Sequence, residues 1–129
     1  MVKPAFLLDT NVCIYLLEAL SEAAREQVEG RRPGEVVTSA IVFAEVMQGL
    51  DLSDAKAVAA VDRLFRAVPV LPYDEAAARA YARVPYKRAR FDRLIAAHAL
   101  ALDVTLVTNN EADFRDIPGL SVENWVQAS

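Results

Sequence analysis

Cysteine and histidine are almost missing from this sequence, and their scarcity excludes several classes of protein. The chain has 129 residues with one cysteine, Cys13, and one histidine, His98. A single cysteine cannot form an internal disulfide, and a zinc site with the usual cysteine and histidine ligands is nearly excluded. A hydrolase that pairs a serine or cysteine nucleophile with a histidine base would have to use His98.

Long hydrophobic runs are also missing. No stretch approaches the ~20 continuous apolar residues of a membrane-spanning helix. The apolar run at residues 5–8 stops at Asp9, which makes it too short for the core of a signal peptide. We therefore expect a soluble, cytoplasmic protein without a membrane partner. The length and the 54% hydrophobic content predict one folded domain over residues 1–129.

Short, continuous apolar runs alternate with helical patterns along the chain. The sequence predicts strands at residues 5–8, 35–38, 68–71, 104–107 and 120–125. It predicts helices over residues 12–20, 21–29, 40–50, 54–66, 75–84 and 92–102. Strands of unbroken apolar residues separated by helices are typical of a parallel sheet that is covered on both faces. The predicted fold class is α/β, with three α/β/α layers and a short, mostly parallel central sheet.

Acidic and amide side chains fall where the predicted strands end and helices begin, which is where open α/β sheets bind their ligands. Asp9 directly follows the first strand, and Asp92 begins the helix before the fourth strand. Asn110 and Asp113 follow the fourth strand. Helix capping alone would explain Asp9 and Asp92, and surface charge would explain Asp113. Taken singly, each of these residues indicates little about function.

Glu45 is harder to explain by structure alone, because it lies in the otherwise apolar helical segment 40–47. Either it reaches solvent on a narrow exposed side, or it is buried and needs a partner. Three or four carboxylates gathered at one sheet edge repel each other unless they are protonated or neutralised by a cation. Because thiolate and imidazole ligands are missing, an all-oxygen site for Mg²⁺ or Mn²⁺ is favoured. Such a site lowers the pKa of a bound water and holds phosphoryl oxygens for in-line attack.

Four segments of the chain, taken in order, match the motifs of a known family. They are residues 7–12 (LLDTNV), 43–49 (FAEVMQG), 91–99 (FDRLIAAHA) and 107–114 (VTNNEADF), and the tail at 117–120 (IPGL) and 123–125 (ENW) is similar too. The sequence resembles the PIN domain and, more narrowly, the VapC-type toxins of bacterial toxin–antitoxin pairs. The resemblance covers residues 5–125 and implies a PIN-like α/β/α fold.

The resemblance implies a metal-dependent endoribonuclease that cleaves RNA as the toxin of such a pair. It implies that Asp9, Glu45 and Asp92 bind Mg²⁺, with Mn²⁺ as an alternative, and activate water. The fourth acid of the family falls at Asn110, whose amide carries no charge. Either Asn110 or Asp113 completes the catalytic set, or the site works with three acids. The implied partner is a small VapB-like antitoxin that inserts a basic side chain among the acids. A homodimer or a toxin–antitoxin hetero-oligomer is the expected assembly.

Charge is distributed unevenly along the chain. The net charge of −4 argues at first against a nucleic-acid partner, yet residues 79–93 hold six of the 14 lysines and arginines. This segment is either a solvated helix end or an arm that binds phosphate beside Asp92. Tyr81, Tyr86 and Phe91 are interleaved and available to stack on unpaired bases, which favours the second interpretation. The residues predicted to contact RNA are Lys87, Arg88, Arg90, Arg93 and Thr10.

Three other interpretations stay open. A phosphoacceptor receiver domain would need a lysine after a late strand, and none of the three lysines follows one. A phosphatase of the haloacid-dehalogenase type would need an aspartate in place of Asn11. A PIN domain that binds RNA without cleaving it is supported by the uncharged Asn110.

His98 lies six residues beyond Asp92, about 240° around a helix, so we expect it in the core or in an interface rather than as a base.

Overall fold

The centre of the protein is a five-stranded sheet. A computed structural model describes residues 2–88 and 90–126. The strands are β1 (Phe6–Leu8), β2 (Val36–Ser39), β3 (Val70–Leu71), β4 (Thr105–Val107) and β5 (Val122–Glu123). Their order across the sheet is β3-β2-β1-β4-β5, and all four pairings are parallel. The predicted parallel sheet is therefore confirmed.

In the part of the chain that the structure describes, six α-helices connect the strands and complete the predicted α/β/α layering. They are α1 (Thr10–Leu17), α2 (Glu22–Glu29), α3 (Ala40–Gln48), α4 (Ala55–Ala67), α5 (Glu75–Ala80) and α6 (Arg90–Leu102). Short 3₁₀ turns cover Tyr81–Arg83 and Glu111–Phe114. The domain ends predicted at residues 1 and 129 lie outside the described residues.

Side-chain caps decide where the helices begin. The carboxylate of Asp9 accepts the backbone N–H of Val12, so α1 starts at Thr10 rather than at residue 12 as predicted. Ser21, Ser39, Asp54 and Asp74 cap the next four helices in the same way. Each such cap contributes about 1 kcal/mol of stability. The helix predicted over 75–84 is α-helical only to Ala80 and then tightens into the first 3₁₀ turn.

The core lies between the sheet and the helices, and His98 belongs to it. Leu7, Leu8 and Leu106 on the strands are fully buried, as is Ile95 on α6. His98 is 1% exposed, and its Nδ1 lies 2.7 Å from the hydroxyl of Ser39. Burial lowers the pKa of His98, which keeps the imidazole neutral. The expectation of a core histidine is confirmed, and the contact joins α6 to the start of α3.

The described part of the chain contains no helix that is both long and apolar enough to cross a membrane.

Candidate active site

Asp9 directly follows β1, at the point where the order of the strands across the sheet reverses. From the central strand β1, the chain proceeds to β2 and β3 on one side and later to β4 and β5 on the other. The crevice outside the carboxyl ends of β1 and β4 is the usual ligand site in such a sheet. The backbone N–H of Asp9 donates to the carbonyl of Val107 at 3.0 Å, which fixes Asp9 between these two strand ends. Asp9 is therefore both the cap of α1 and the central acid of the crevice.

The carboxyl group of Asp9 is held in an unfavourable environment for a negative charge. The residue is 6% exposed, and burial raises its pKa from the ordinary value of 3.8 to about 6. Hydrogen bonds from the Thr108 hydroxyl and the Val12 N–H oppose this rise, whereas the carboxylates of Asp92 and Glu45 add to it. A buried carboxylate with two acidic neighbours is stabilised when a cation joins it.

Glu45 points from α3 toward the same crevice. Its side chain is half-buried, and Oε1 accepts a hydrogen bond from the hydroxyl of Thr10 at 2.6 Å. Of the two alternatives given by the sequence, burial with a partner is the one observed. Thr10 thereby orients Glu45, and the RNA contact predicted for Thr10 stays a prediction.

Asp92 lies in the first turn of α6 and is half-buried. Burial raises the pKa of this carboxyl group, the charges of Glu45 and Asp113 raise it further, and Arg93 lowers it. The structure thus gathers Asp9, Glu45, Asp92 and Asp113 at the carboxyl edge of the sheet. Acids that are distant in sequence therefore act on one another in the fold: Asp92 and Glu45 raise the pKa of Asp9, and Glu45 and Asp113 raise that of Asp92.

Asn110 and Asp113 form a pair instead of competing for one role. The side-chain amide Nδ2 of Asn110 donates to Oδ2 of Asp113 at 2.5 Å, and both residues are exposed. Asn110 therefore orients the Asp113 carboxylate across the start of the second 3₁₀ turn. Beside them, Oδ1 of Asn109 is a buried acceptor that lacks a hydrogen-bond partner among the described residues. Asn109 was not among the predicted site residues, because the one signal that it leaves in the sequence is its place directly after Thr108 at the end of β4.

The donor set suits a hard divalent cation. All the candidate ligands are carboxylate or amide oxygens, which Mg²⁺ and Mn²⁺ prefer. Within residues 2–88 and 90–126, no three histidine, cysteine or acidic side chains converge into a ready-made cage. Mg²⁺ does not require such a cage, because it is usually held by one or two carboxylates while waters complete its shell. The acids of the crevice fit that mode of binding.

Arg93 does not lie where the sequence analysis expected it. It was predicted to contact RNA, but it is 2% exposed and its guanidinium group is paired with Asp116 at 3.0 Å. A guanidinium group that is buried and bound to a carboxylate is not available to a phosphate. The prediction for Arg93 is wrong because the first turn of α6 packs this side chain inward, against the chain near Asp113.

The other cations of the predicted arm are exposed. We call Lys87, Arg88 and Arg90 the basic arm; all three lie on the surface. Tyr86 and Phe91 beside them are 73% and 53% exposed, which is unusual for large aromatic side chains. An open cleft of about 540 Å³ is lined by Glu45, Arg88, Arg90, Phe91 and Asp92. Two acids of the crevice and two cations of the basic arm therefore face the same space.

Comparison with known proteins identifies the family of this chain. Residues 6–120 match the PIN domain family. The tRNA(fMet)-specific endonuclease VapC of Shigella flexneri is 30% identical over 129 residues, and the alignment covers 93% of this chain and 97% of the relative. Ribonuclease VapC1 of Haemophilus influenzae is 31% identical, with 95% of this chain and 98% of the relative covered.

Solved structures agree with the sequence comparison. The crystal structure of DNA-bound VapBC from Salmonella typhimurium superposes with a TM-score of 0.83 at 29% identity, covering 95% of this chain and 98% of that one. VapBC2 from Rickettsia felis, bound to a DNA fragment from its promoter, has a TM-score of 0.80 at 27% identity, covering 94% and 98%. The fold is that of a PIN domain, and its similar sequences are ribonucleases. The chain belongs to the PIN domain family and, within it, to the VapC ribonucleases.

Proposed function

We propose that this chain is the endoribonuclease toxin of a toxin–antitoxin pair, and that Asp9, Glu45 and Asp92 hold a Mg²⁺ ion that Mn²⁺ can replace. The observation that carries the proposal is the buried carboxyl group of Asp9, whose pKa is raised to about 6 beside two further acids. Such a group costs stability in the free protein and is compensated when a divalent cation binds. The family supplies ribonuclease activity, and the all-oxygen donor set favours Mg²⁺ or Mn²⁺ over zinc.

The residues of the crevice have different roles in the hydrolysis of RNA. Asp9, Glu45 and Asp92 would hold the cation, which would supply a lowered pKa for a nearby water and a positive charge for the phosphate. Thr108 and the N–H of Val12 hold the Asp9 carboxylate, and Thr10 holds Glu45, so that both acids keep their direction toward the crevice. Asp113, fixed by Asn110, is placed to accept the proton that the attacking water loses. Arg88 and Arg90 line the cleft and bind the phosphates that flank the cut.

An RNA cleavage assay with defined metals tests this proposal. The purified chain is incubated with tRNA, the substrate named for the Shigella relative, and with total RNA, in Mg²⁺, Mn²⁺, Ca²⁺, Zn²⁺ or EDTA. We expect cleavage with Mg²⁺ and Mn²⁺ only. Undiminished cleavage in EDTA would refute the metal role, and RNA binding without cleavage in any metal would leave the non-catalytic PIN interpretation. Sequencing the RNA ends released after a short pulse of expression identifies the cut sites.

An antitoxin is the second partner that we infer. The solved relatives are VapBC complexes, and a cluster of acids at an open crevice suits an arginine or lysine side chain from a bound protein. Such a side chain would replace the cation and keep the enzyme inactive. We further propose that residues 1–129 act as one domain in the cytoplasm. The predicted homodimer and hetero-oligomer stay alternatives, which light scattering of the chain with and without its antitoxin distinguishes.

The basic arm is expected to provide much of the salt-dependent RNA binding. Replacing Lys87, Arg88 and Arg90 together by glutamine removes three phosphate contacts. For single-stranded RNA, log affinity falls with log salt, and the loss of three contacts should make this negative slope shallower by about 2. The measurement is fluorescence anisotropy with labelled RNA in Ca²⁺ over a range of KCl concentrations. The matched control replaces Lys56, Arg63 and Arg66 on α4, which are also exposed, by glutamine. Equal salt slopes for the two triple variants would show that the basic arm does not bind the RNA.

A further inference from the structure

We propose that Arg93 and Asp116 form a positioning pair that fixes two acids of the crevice, Asp92 and Asp113, relative to each other. This inference rests on the proposed function, because it concerns the acids assigned there to the cation and to proton transfer. In this proposal neither Arg93 nor Asp116 contacts the RNA or the cation.

The contacts of Arg93 carry the inference. Its Nη1 donates to Oδ2 of Asp116 at 3.0 Å, and its Nη2 donates to Oδ1 of the same carboxylate at 3.0 Å. Nη2 also donates to the backbone carbonyl of Asp113 at 2.9 Å, and Nη1 lies 3.4 Å from the carbonyl of Pro85. The two-pronged bond to the carboxylate fixes the direction of the guanidinium plane as well as its distance.

These bonds join three separate segments at the rim of the crevice. Arg93 itself lies next to Asp92 in the first turn of α6, Asp113 lies in the second 3₁₀ turn, and Pro85 lies in the segment that leads to the basic arm. Because a buried guanidinium group is costly unless its donors are used, these segments cannot move apart without leaving N–H groups unpaired. The pair therefore acts as a clamp on the backbone that carries Asp92 and Asp113.

Asp116 extends the clamp to the basic arm. Its side chain is 35% exposed, and Oδ1 also lies 3.6 Å from Nζ of Lys87. The same carboxylate thus contacts a buried cation beside the catalytic acids and an exposed cation of the RNA-binding surface. Both oxygens of Asp116 are bound to Arg93, so the pair as a whole carries no net charge. The charge of Arg93 also acts on Asp92, and the role proposed here is the geometric one, which variants that keep the charge can isolate.

Conservative variants test the role of geometry. Arg93→Lys keeps the charge but loses the two-pronged bond, and Asp116→Glu keeps the charge but lengthens the link by one methylene. We expect each to weaken Mn²⁺ binding about tenfold, as is usual when a group that supports metal ligands is changed. Isothermal titration calorimetry with Mn²⁺ and no RNA measures this directly. In cleavage assays we expect kcat to fall while KM for RNA stays within a factor of two.

Two further measurements separate positioning from the alternatives. If Arg93 touched RNA, Arg93→Lys would alter the salt slope of RNA binding in Ca²⁺; we expect the wild-type slope. The double variant should bind Mn²⁺ no more weakly than the worse single variant, since both act through one link. Arg115→Lys, an exposed neighbour, is the control and should match the wild type. Thermal melting by circular dichroism verifies that each variant folds. If Arg93→Lys does not fold, Asp116→Glu still tests the inference, because Asp116 is partly exposed.

The outcomes distinguish this inference from the proposed function. Wild-type protein that neither binds Mn²⁺ nor cleaves RNA would overturn the proposed function, and the inference with it. Wild-type protein that does both, together with a folded Asp116→Glu variant of unchanged Mn²⁺ affinity and kcat, would overturn the inference alone.

Discussion

Replacing Asp9 with asparagine should reduce RNA cleavage by about 10³-fold, equivalent to about 4 kcal/mol in the activation barrier. Asp9 is the most buried of the four acids, and the structure holds it between the ends of β1 and β4. Asparagine keeps the shape but loses the charge that attracts the cation. The loss should persist at high Mg²⁺ concentration if the remaining acids cannot orient the cation.

The same substitution should make the metal-free protein more stable. Asparagine caps a helix as well as aspartate does, so α1 keeps its cap. The pKa of Asp9 is raised from 3.8 to about 6 in the folded protein. At pH 7 the ionised carboxylate therefore lowers the free energy of unfolding by up to about 3 kcal/mol. Removing the charge removes this cost, and the melting temperature in EDTA should rise.

Melting curves in EDTA and in Mg²⁺, together with cleavage rates, measure both effects. Mg²⁺ should raise the melting temperature of the wild type and leave that of Asp9→Asn nearly unchanged. Asp54→Asn is the matched control, because Asp54 caps α4 at an exposed position and should alter neither quantity. An active Asp9→Asn variant, or one that melts well below the wild type in EDTA, would contradict the assignment of Asp9.

Metal affinity should depend steeply on pH through the same group. Because the carboxyl group of Asp9 has a pKa of about 6, lowering the pH from 7.5 to 4.5 protonates it and should weaken Mn²⁺ binding about thirtyfold. The raised pKa of Asp92 acts in the same direction. Calorimetric titrations with Mn²⁺ at several pH values measure this dependence. Affinity that is constant from pH 7.5 to 4.5 would show that the Asp9 proton does not compete with the cation.

The stability of the metal-free protein should change in the opposite sense. Between pH 6 and pH 4 the folded state binds more protons at Asp9 than the unfolded state does, so the contribution of this group to stability grows as the pH falls. Comparing wild type with Asp9→Asn isolates this contribution from those of the other acids. Their difference in melting temperature should shrink from pH 7 toward pH 5.

Local signals explain why the fold was predictable from the sequence. The apolar runs and the caps at Asp9, Ser39 and Asp74 depend on neighbouring residues, and they placed the strands and helices within a few positions. The parallel sheet followed from the unbroken apolar strands. The 3₁₀ turn after Ala80 was missed because the alanine-rich sequence before it favours a longer helix.

The candidate site was only partly predictable, because side-chain partners distant in sequence leave no local signal. Acids at strand ends could be expected to meet, and Glu45 was marked by its apolar surroundings. Arg93 resembled its cationic neighbours, and nothing near it indicates that its partner, Asp116, lies 23 residues away. The bond between Asn110 and Asp113 likewise depends on the turn that the chain makes after β4.

The position of β1 in the middle of the sheet has a consequence for protein synthesis. Asp9 acquires its backbone partner, the carbonyl of Val107, only after the chain has been made through β4. An incomplete chain that ends before β4 already contains Asp9, Glu45 and Asp92, but it lacks the strand beside which they assemble. A nascent chain that ends before β4 therefore carries these three acids without the strand end that fixes Asp9.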